Sequence, residues 1–324
     1  MKLRFRKKGI IYILIILILG FSINIDKKQN KKQGIIMGGS YLERVCEEID
    51  MKVENSDSGY DLEKYFRPSN LPILNTKPYT LFEETYGKKT SDIKLPNELF
   101  TKPKDTIINY FSVLREAANP TSKNRTGCGT LGYAKEPYPV AYNFLSSDYQ
   151  NKITYNQYLK SFENMLHINL IKLKQVQTDK EHPDSLKYFV EIEVIEGSDE
   201  PKGYFSYYYG FIYLDKGNNL YKISDIKYYS ENYLCAPYHG WSYNAEYIID
   251  IEYGEWCSLV KEKIKTETYG YEKRIYFMGN DGYEYYVLFF ELTNGTEIKI
   301  SDYRKDENGV WREVDIDTKK CLKK

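Results

Sequence analysis

The side chains best suited to covalent or metal chemistry are scarce. In 324 residues there are three histidines, His167, His182 and His239, and five cysteines, Cys46, Cys128, Cys235, Cys257 and Cys321. The cysteines form no C-x-x-C pair and show no metal-ligand spacing, so no metal or cofactor is assigned. Cys235 and His239 are the types a thiol nucleophile and its base require, but nearness along the chain is not the alignment that proton transfer needs. Neither GxSxG nor HExxH is present, so no catalytic residue is assigned. Gly127, Gly129 and Gly132 formally spell GxGxxG. A dinucleotide site needs a strand before that run and a helix directly after it. Here a helical pattern precedes and Pro137 and Pro139 follow, so the motif is rejected. Cys235 and Cys257 are candidates to pair in an oxidising compartment, although the odd count argues against a complete disulfide framework. Asn124-Arg125-Thr126 and Asn294-Gly295-Thr296 match the glycosylation sequon, the second reading more simply as a hairpin turn.

Charge excludes another class of function. Forty-six basic residues balance 46 acidic ones, so the footprint of a nucleic-acid binder is missing. Tyrosine is abundant, with 34 copies, and suits half-wet strands because its ring packs while its hydroxyl reaches water.

The elements that would position any site centre on Thr154 to Tyr229. Thr154 and Gln157 fit a capping box, and Tyr155, Tyr158, Leu159, Phe162, Met165 and Leu166 follow at helical spacing. The period then changes. His167 to Val176 alternates in part. Tyr188, Val190, Ile192 and Val194 alternate with Glu191 and Glu193, as in a strand with one wet face. Phe205, Tyr207, Tyr209, Phe211 and Tyr213 share one face of the next run. Asp215 to Asn219 is turn chemistry, and Leu220 to Tyr229 returns. Upstream, Pro103 opens a helix carrying Ile107, Ile108, Phe111 and Leu114, and a short helix is expected over 139–145.

Helices followed by long strands ending in Asn219-Leu220-Tyr221-Lys222-Ile223 resemble the NTF2-like (cystatin-related) α+β cone, over roughly Pro103 to Tyr229. The resemblance implies a conical pocket between helices and a curved antiparallel sheet, in which related enzymes use an Asp or a His. The candidate ligand-binding residues it implies are His167, at the helix-to-strand junction, and the Tyr207, Tyr209 and Tyr213 face.

Outside that unit, Gly9 to Ile25 is uncharged and follows Lys2, Arg4, Arg6, Lys7 and Lys8, which predicts an uncleaved signal anchor with a cleaved signal peptide as the alternative. Residues 26–100 read as a stalk and an irregular segment, with a short helix possible over Tyr41 to Asp50. Residues 240–318 form a smaller unit: a helix over Ala245 to Ile264, then a meander punctuated by Asn280-Asp281-Gly282, Asn294-Gly295 and Asn308-Gly309. Tyr221 to Ile226 and Trp311 to Ile316 are alike, hinting at a degenerate duplication.

The expected class is therefore α+β: a cytoplasmic flank and transmembrane signal-anchor helix within residues 1–25, an NTF2-like domain over 101–230, then a helix-plus-meander unit. The expected function is a non-catalytic, membrane-anchored extracytoplasmic binding or assembly protein. It would lie on the cell membrane as a single-pass protein, with a protein partner or small ligand and no nucleic acid. The alternatives are a conjugation or secretion component with tandem NTF2-like domains, and a small-molecule isomerase or hydrolase of that fold.

Overall fold

The computed structural model describes residues 33–42, 69–76, 84–85, 87–121, 133–197, 203–231 and 240–322. Two antiparallel-rich sheets organise them. The first has six strands in the order β1-β2-β6-β5-β4-β3: β1 Gln33–Ile36, β2 Gly39–Leu42, β3 Met165–Val176, β4 Leu186–Gly197, β5 Gly203–Gly217 and β6 Leu220–Ser230. The second has five in the order β11-β10-β9-β8-β7: β7 Val260–Tyr269, β8 Glu272–Gly279, β9 Glu284–Glu291, β10 Glu297–Lys305 and β11 Trp311–Val314.

One face of the first sheet is covered by α1 (Pro103–Arg115), α2 (Pro137–Tyr142), α3 (Ser147–Lys152) and α4 (Tyr155–Lys160). Pro103 begins α1 where its missing N–H costs nothing, and Ile107, Tyr110, Phe111 and Leu114 turn one stripe inward. Each such side chain contributes roughly 1.5–3 kcal/mol by leaving water. Both halves of the Thr154–Gln157 capping box are present at α4. Tyr188, Val190, Ile192 and Val194 of β4 contribute to the sheet's half of this core. Gly210 of β5 answers a close approach: a Cβ there would lie 2.1 Å from the Lys227 carbonyl oxygen on β6.

Two segments close the first unit. The β1–β2 turn puts Met37 and Gly38 at positive φ, where Gly38 N–H donates to Ser161 Oγ (2.7 Å) and Tyr149 OH donates to Gly38 O (2.8 Å). Leu74 N–H donates to Leu170 O (2.9 Å), and the buried Asn75 side chain donates to Ile168 O (3.0 Å) and accepts from Leu170 N–H (2.8 Å). The irregular segment thus runs along β3.

In the second unit, α5 (Ala245–Ile248) begins at an Asn244 cap and continues as a π-helical segment, Ile249–Trp256. It packs on Ile275, Phe277, Val287 and Phe289. Gly282, Gly295 and Gly309 sit at positive φ in the three Asn/Gly turns, as the hairpin signals require. A short helix, α6 (Thr318–Cys321), is joined to the end of the π-helix by a disulfide between Cys257 and Cys321.

The expected class is corrected. Among the described residues the protein is sheet-rich, 42% strand against 26% helix in two sheets, rather than the expected anchored NTF2-like α+β arrangement. No helix among the described residues is long and apolar enough to cross a membrane, and Gly9 to Ile25 lies outside those residues. Local causes are clear. Helix α4 ends at Lys160, so Met165 and Leu166 belong to β3. The helix expected over Ala245 to Ile264 ends at Trp256, and Val260 and Ile264 lie on β7. Residues assigned to the stalk and a short helix, 33–42, instead form a hairpin whose β2 pairs in parallel with β6. The matched endings also take different roles: β6 is interior to its sheet, whereas β11 is a four-residue edge.

Candidate functional site: the back face of the first sheet and the cleft beside it

Alternation along β5 decides where the expected site residues go. Tyr208, Ile212 and Leu214 face the helices, so Tyr207, Tyr209 and Tyr213 project from the opposite, back face. None of the three faces α1 to α4. A pocket between α1 to α4 and the sheet would therefore not include them.

His167 and Tyr207 nevertheless meet in one hydrogen-bonded chain. His167 Nε2 lies 3.0 Å from Asn169 Oδ1, Asn169 Nδ2 donates to Glu193 Oε1 (3.1 Å), and Tyr207 OH donates to Glu193 Oε2 (2.7 Å). Burial first, then the nearby Arg115 charge, hold the His167 pKa below its ordinary value, so the neutral imidazole is favoured. A buried carboxylate with two donors is satisfied rather than poised to react.

Tyr213 sits at the other end of the face. Its OH donates to Asp179 Oδ2 (2.5 Å), and its ring lies 4.1 Å from the His182 ring. Burial, then that hydrogen bond, push the Tyr213 phenol well above its ordinary pKa. Burial opposes ionisation of Asp179, yet hydrogen bonds from Tyr213 and Lys187 bring its carboxyl below the ordinary value. Asp179, Glu181 and His182 offer ligand atoms within 4.8 Å of one another. Those atoms are already engaged. Lys187 meets Asp179 (3.1 Å), Lys227 meets Glu181 (2.6 Å) and His182 meets Asp225 (3.1 Å). Two ammonium groups at the cluster disfavour a metal cation, and the donor set fits an ion-pair network better.

Tyr209 lies between these networks, stacked on Tyr229 at 5.0 Å with planes 14° apart. Phe189, Tyr209, Phe290, Leu292 and Ile298 form a small apolar cluster that joins the two sheets. Beside it runs a polar lock. Glu191 and Lys172, 0% and 4% exposed, pair at 2.6 Å; Lys172 Nζ also donates to Glu291 O (2.6 Å), and Thr293 N–H donates to Glu191 Oε1 (2.8 Å).

A cleft of about 630 Å³ opens next to this contact. Tyr209, Phe211 and Tyr229 form its floor, Ile248 and Glu252 one wall, and Ile298 and Lys299 the other. Residues 315–319 form the lip. Thr318 Oγ1 donates to Glu252 Oε2 (2.6 Å), and the Cys257–Cys321 disulfide holds the end of that lip against the π-helix.

Several of these groups escaped sequence reasoning. Glu191 and Glu193 read as a wet strand face, but both are fully buried. The available signal was Lys172, a cation in the middle of an Ile- and Leu-rich strand. Lys222, read only as part of the strand-end motif, donates to Asn143 O (2.7 Å) and lies 3.5 Å from the Phe100 ring centroid, and burial pushes its pKa down to about 8. Cys257 pairs with Cys321 rather than Cys235. Cys235, His239 and the Gly127 to Gly132 run lie outside the described residues.

The chain matches no family model. No curated protein and no solved structure matches it either.

Proposed function

We propose that this chain is a non-catalytic, extracytoplasmic binding protein that holds a small ligand in the cleft between its two sheets. The carrying observation is the cleft itself, at about 630 Å³ within the usual range of ligand sites and located where two units meet. Two further features support the reading. Ionisable groups of the back face are engaged with one another, which suits a scaffold. A disulfide closing the second unit suits an oxidising compartment.

Native mass spectrometry of the chain purified undenatured from its own cells tests this. A bound small molecule is expected in the parent chain and lost from Ile316→Trp, which fills the cleft. An equal load in both, or none in either, overturns the reading.

A further inference from the structure

We infer that the cleft selects an amphipathic organic cation: an apolar ring or chain carrying an ammonium-type group. The inference rests on the cleft being the binding site and adds the chemistry of its occupant.

Charge along the lining is uneven. Four carboxylates, Glu252, Glu297, Asp315 and Asp317, face two lysines, Lys299 and Lys319. One lysine is committed inward: Lys299 Nζ lies 3.0 Å from Asp302 Oδ2, 2.9 Å from Tyr253 OH and 3.3 Å from Ile316 O. Glu297 is likewise committed, to Lys273 at 2.9 Å. The lip carboxylates differ. Among the described residues, Asp315 and Asp317 form ion pairs with Lys180 and Lys320, side chains 88% and 80% exposed. Pairs so exposed are each worth little and exchange readily for an incoming cation. Glu252, on the wall, takes its hydrogen bond from a neutral hydroxyl, that of Thr318, and keeps its charge for a ligand.

The floor suits the other half of such a molecule. Tyr209, Phe211 and Tyr229 present aromatic surface, and aromatic rings attract cations as well as apolar groups. An anion would meet the acidic wall and lip, and a fully neutral apolar ligand would leave those charges unused.

The backbone here is specialised. Ile248 ends α5 and Glu252 lies within the eight-residue π-helix, a rare geometry that widens the turn and recurs at functional sites. The Cys257–Cys321 bond fixes both that π-helix and the lip, so wall and lip are set relative to each other before any ligand arrives.

Fluorescence titration of the full chain with three probes tests the inference: rhodamine 6G as a cation, fluorescein as an anion and N-phenyl-1-naphthylamine as a neutral ring. Rhodamine 6G is expected to bind about tenfold more tightly than fluorescein, and raised salt should narrow the difference. Glu252→Gln with Asp317→Asn, which keeps the hydrogen-bonding shapes, should abolish the preference while leaving the unfolding midpoint and the disulfide intact. Equal binding of all three probes, or a preference that survives the substitutions, overturns cation selectivity and leaves the cleft standing. Failure of every probe to bind overturns both.

Discussion

The two units solve the same packing problem with different means. The first spreads a continuous core between four helices and a six-stranded sheet, with Tyr110, Phe111, Phe144, Tyr158 and Phe162 all fully buried. The second has nine buried core residues beneath one irregular helix, and a disulfide spanning 64 residues. A small core yields little net stability, so a cross-link that restricts the unfolded chain counts for more there. The first unit is held by volume, the second by volume plus a staple.

The severest way to break that contrast is at the lock between the units. Lys172→Met or Glu191→Leu alone should each cost about 3–5 kcal/mol, because each strands a charge that water cannot reach. The double substitution should recover most of the loss. Urea unfolding checks both outcomes, and equal losses in single and double variants would show that the ion pair is not what matters.

Removing the staple comes next. Cys257→Ser with Cys321→Ser should destabilise the second unit by about 2–4 kcal/mol. Hydrogen exchange should quicken over 245–314 and leave β3 to β6 protected. Uniform quickening would mean that the units unfold as one.

A smaller loss, about 1–3 kcal/mol, is expected from Tyr207→Phe, which removes a donor from a buried carboxylate.

The smallest effects are pH-dependent and have opposite signs in the two units. In the second, burial first, then Asp302, push the Glu313 carboxyl from 4.5 up to about 7. Its contribution is therefore complete below about 4.5 and lost as pH rises through 7. In the first, the His167 pKa is lowered from 6.5, so stability present above that value declines as pH falls. Glu313→Gln should flatten the first slope and His167→Gln the second, as read from unfolding midpoints across pH 4 to 8.

Much of this framework was legible in residue order. Thr154 with Gln157, the alternation from Tyr188 to Val194, and the three Asn/Gly turns are local signals whose physics operates within a few residues, and each appears where expected. What escaped depends on partners far along the chain. Glu191 looks solvated until Lys172 and Thr293 close over it. The tyrosines of β5 were correctly placed on one face, but periodicity cannot say which face the helices choose. The apolar residues of Gln33 to Leu42 follow no sustained alternation that would announce a hairpin, and its order comes from Ser161 and Tyr149 instead. The cleft joins residues from 209 to 319, a distance no short motif spans.

Asn75 has one more consequence. By giving and taking hydrogen bonds at Ile168 and Leu170, its side chain imitates the rung a neighbouring strand would offer. An intruding peptide therefore finds β3 already answered there. Lengthening of that sheet by another molecule has to begin at the opposite margin, with β1, so any such growth is one-sided.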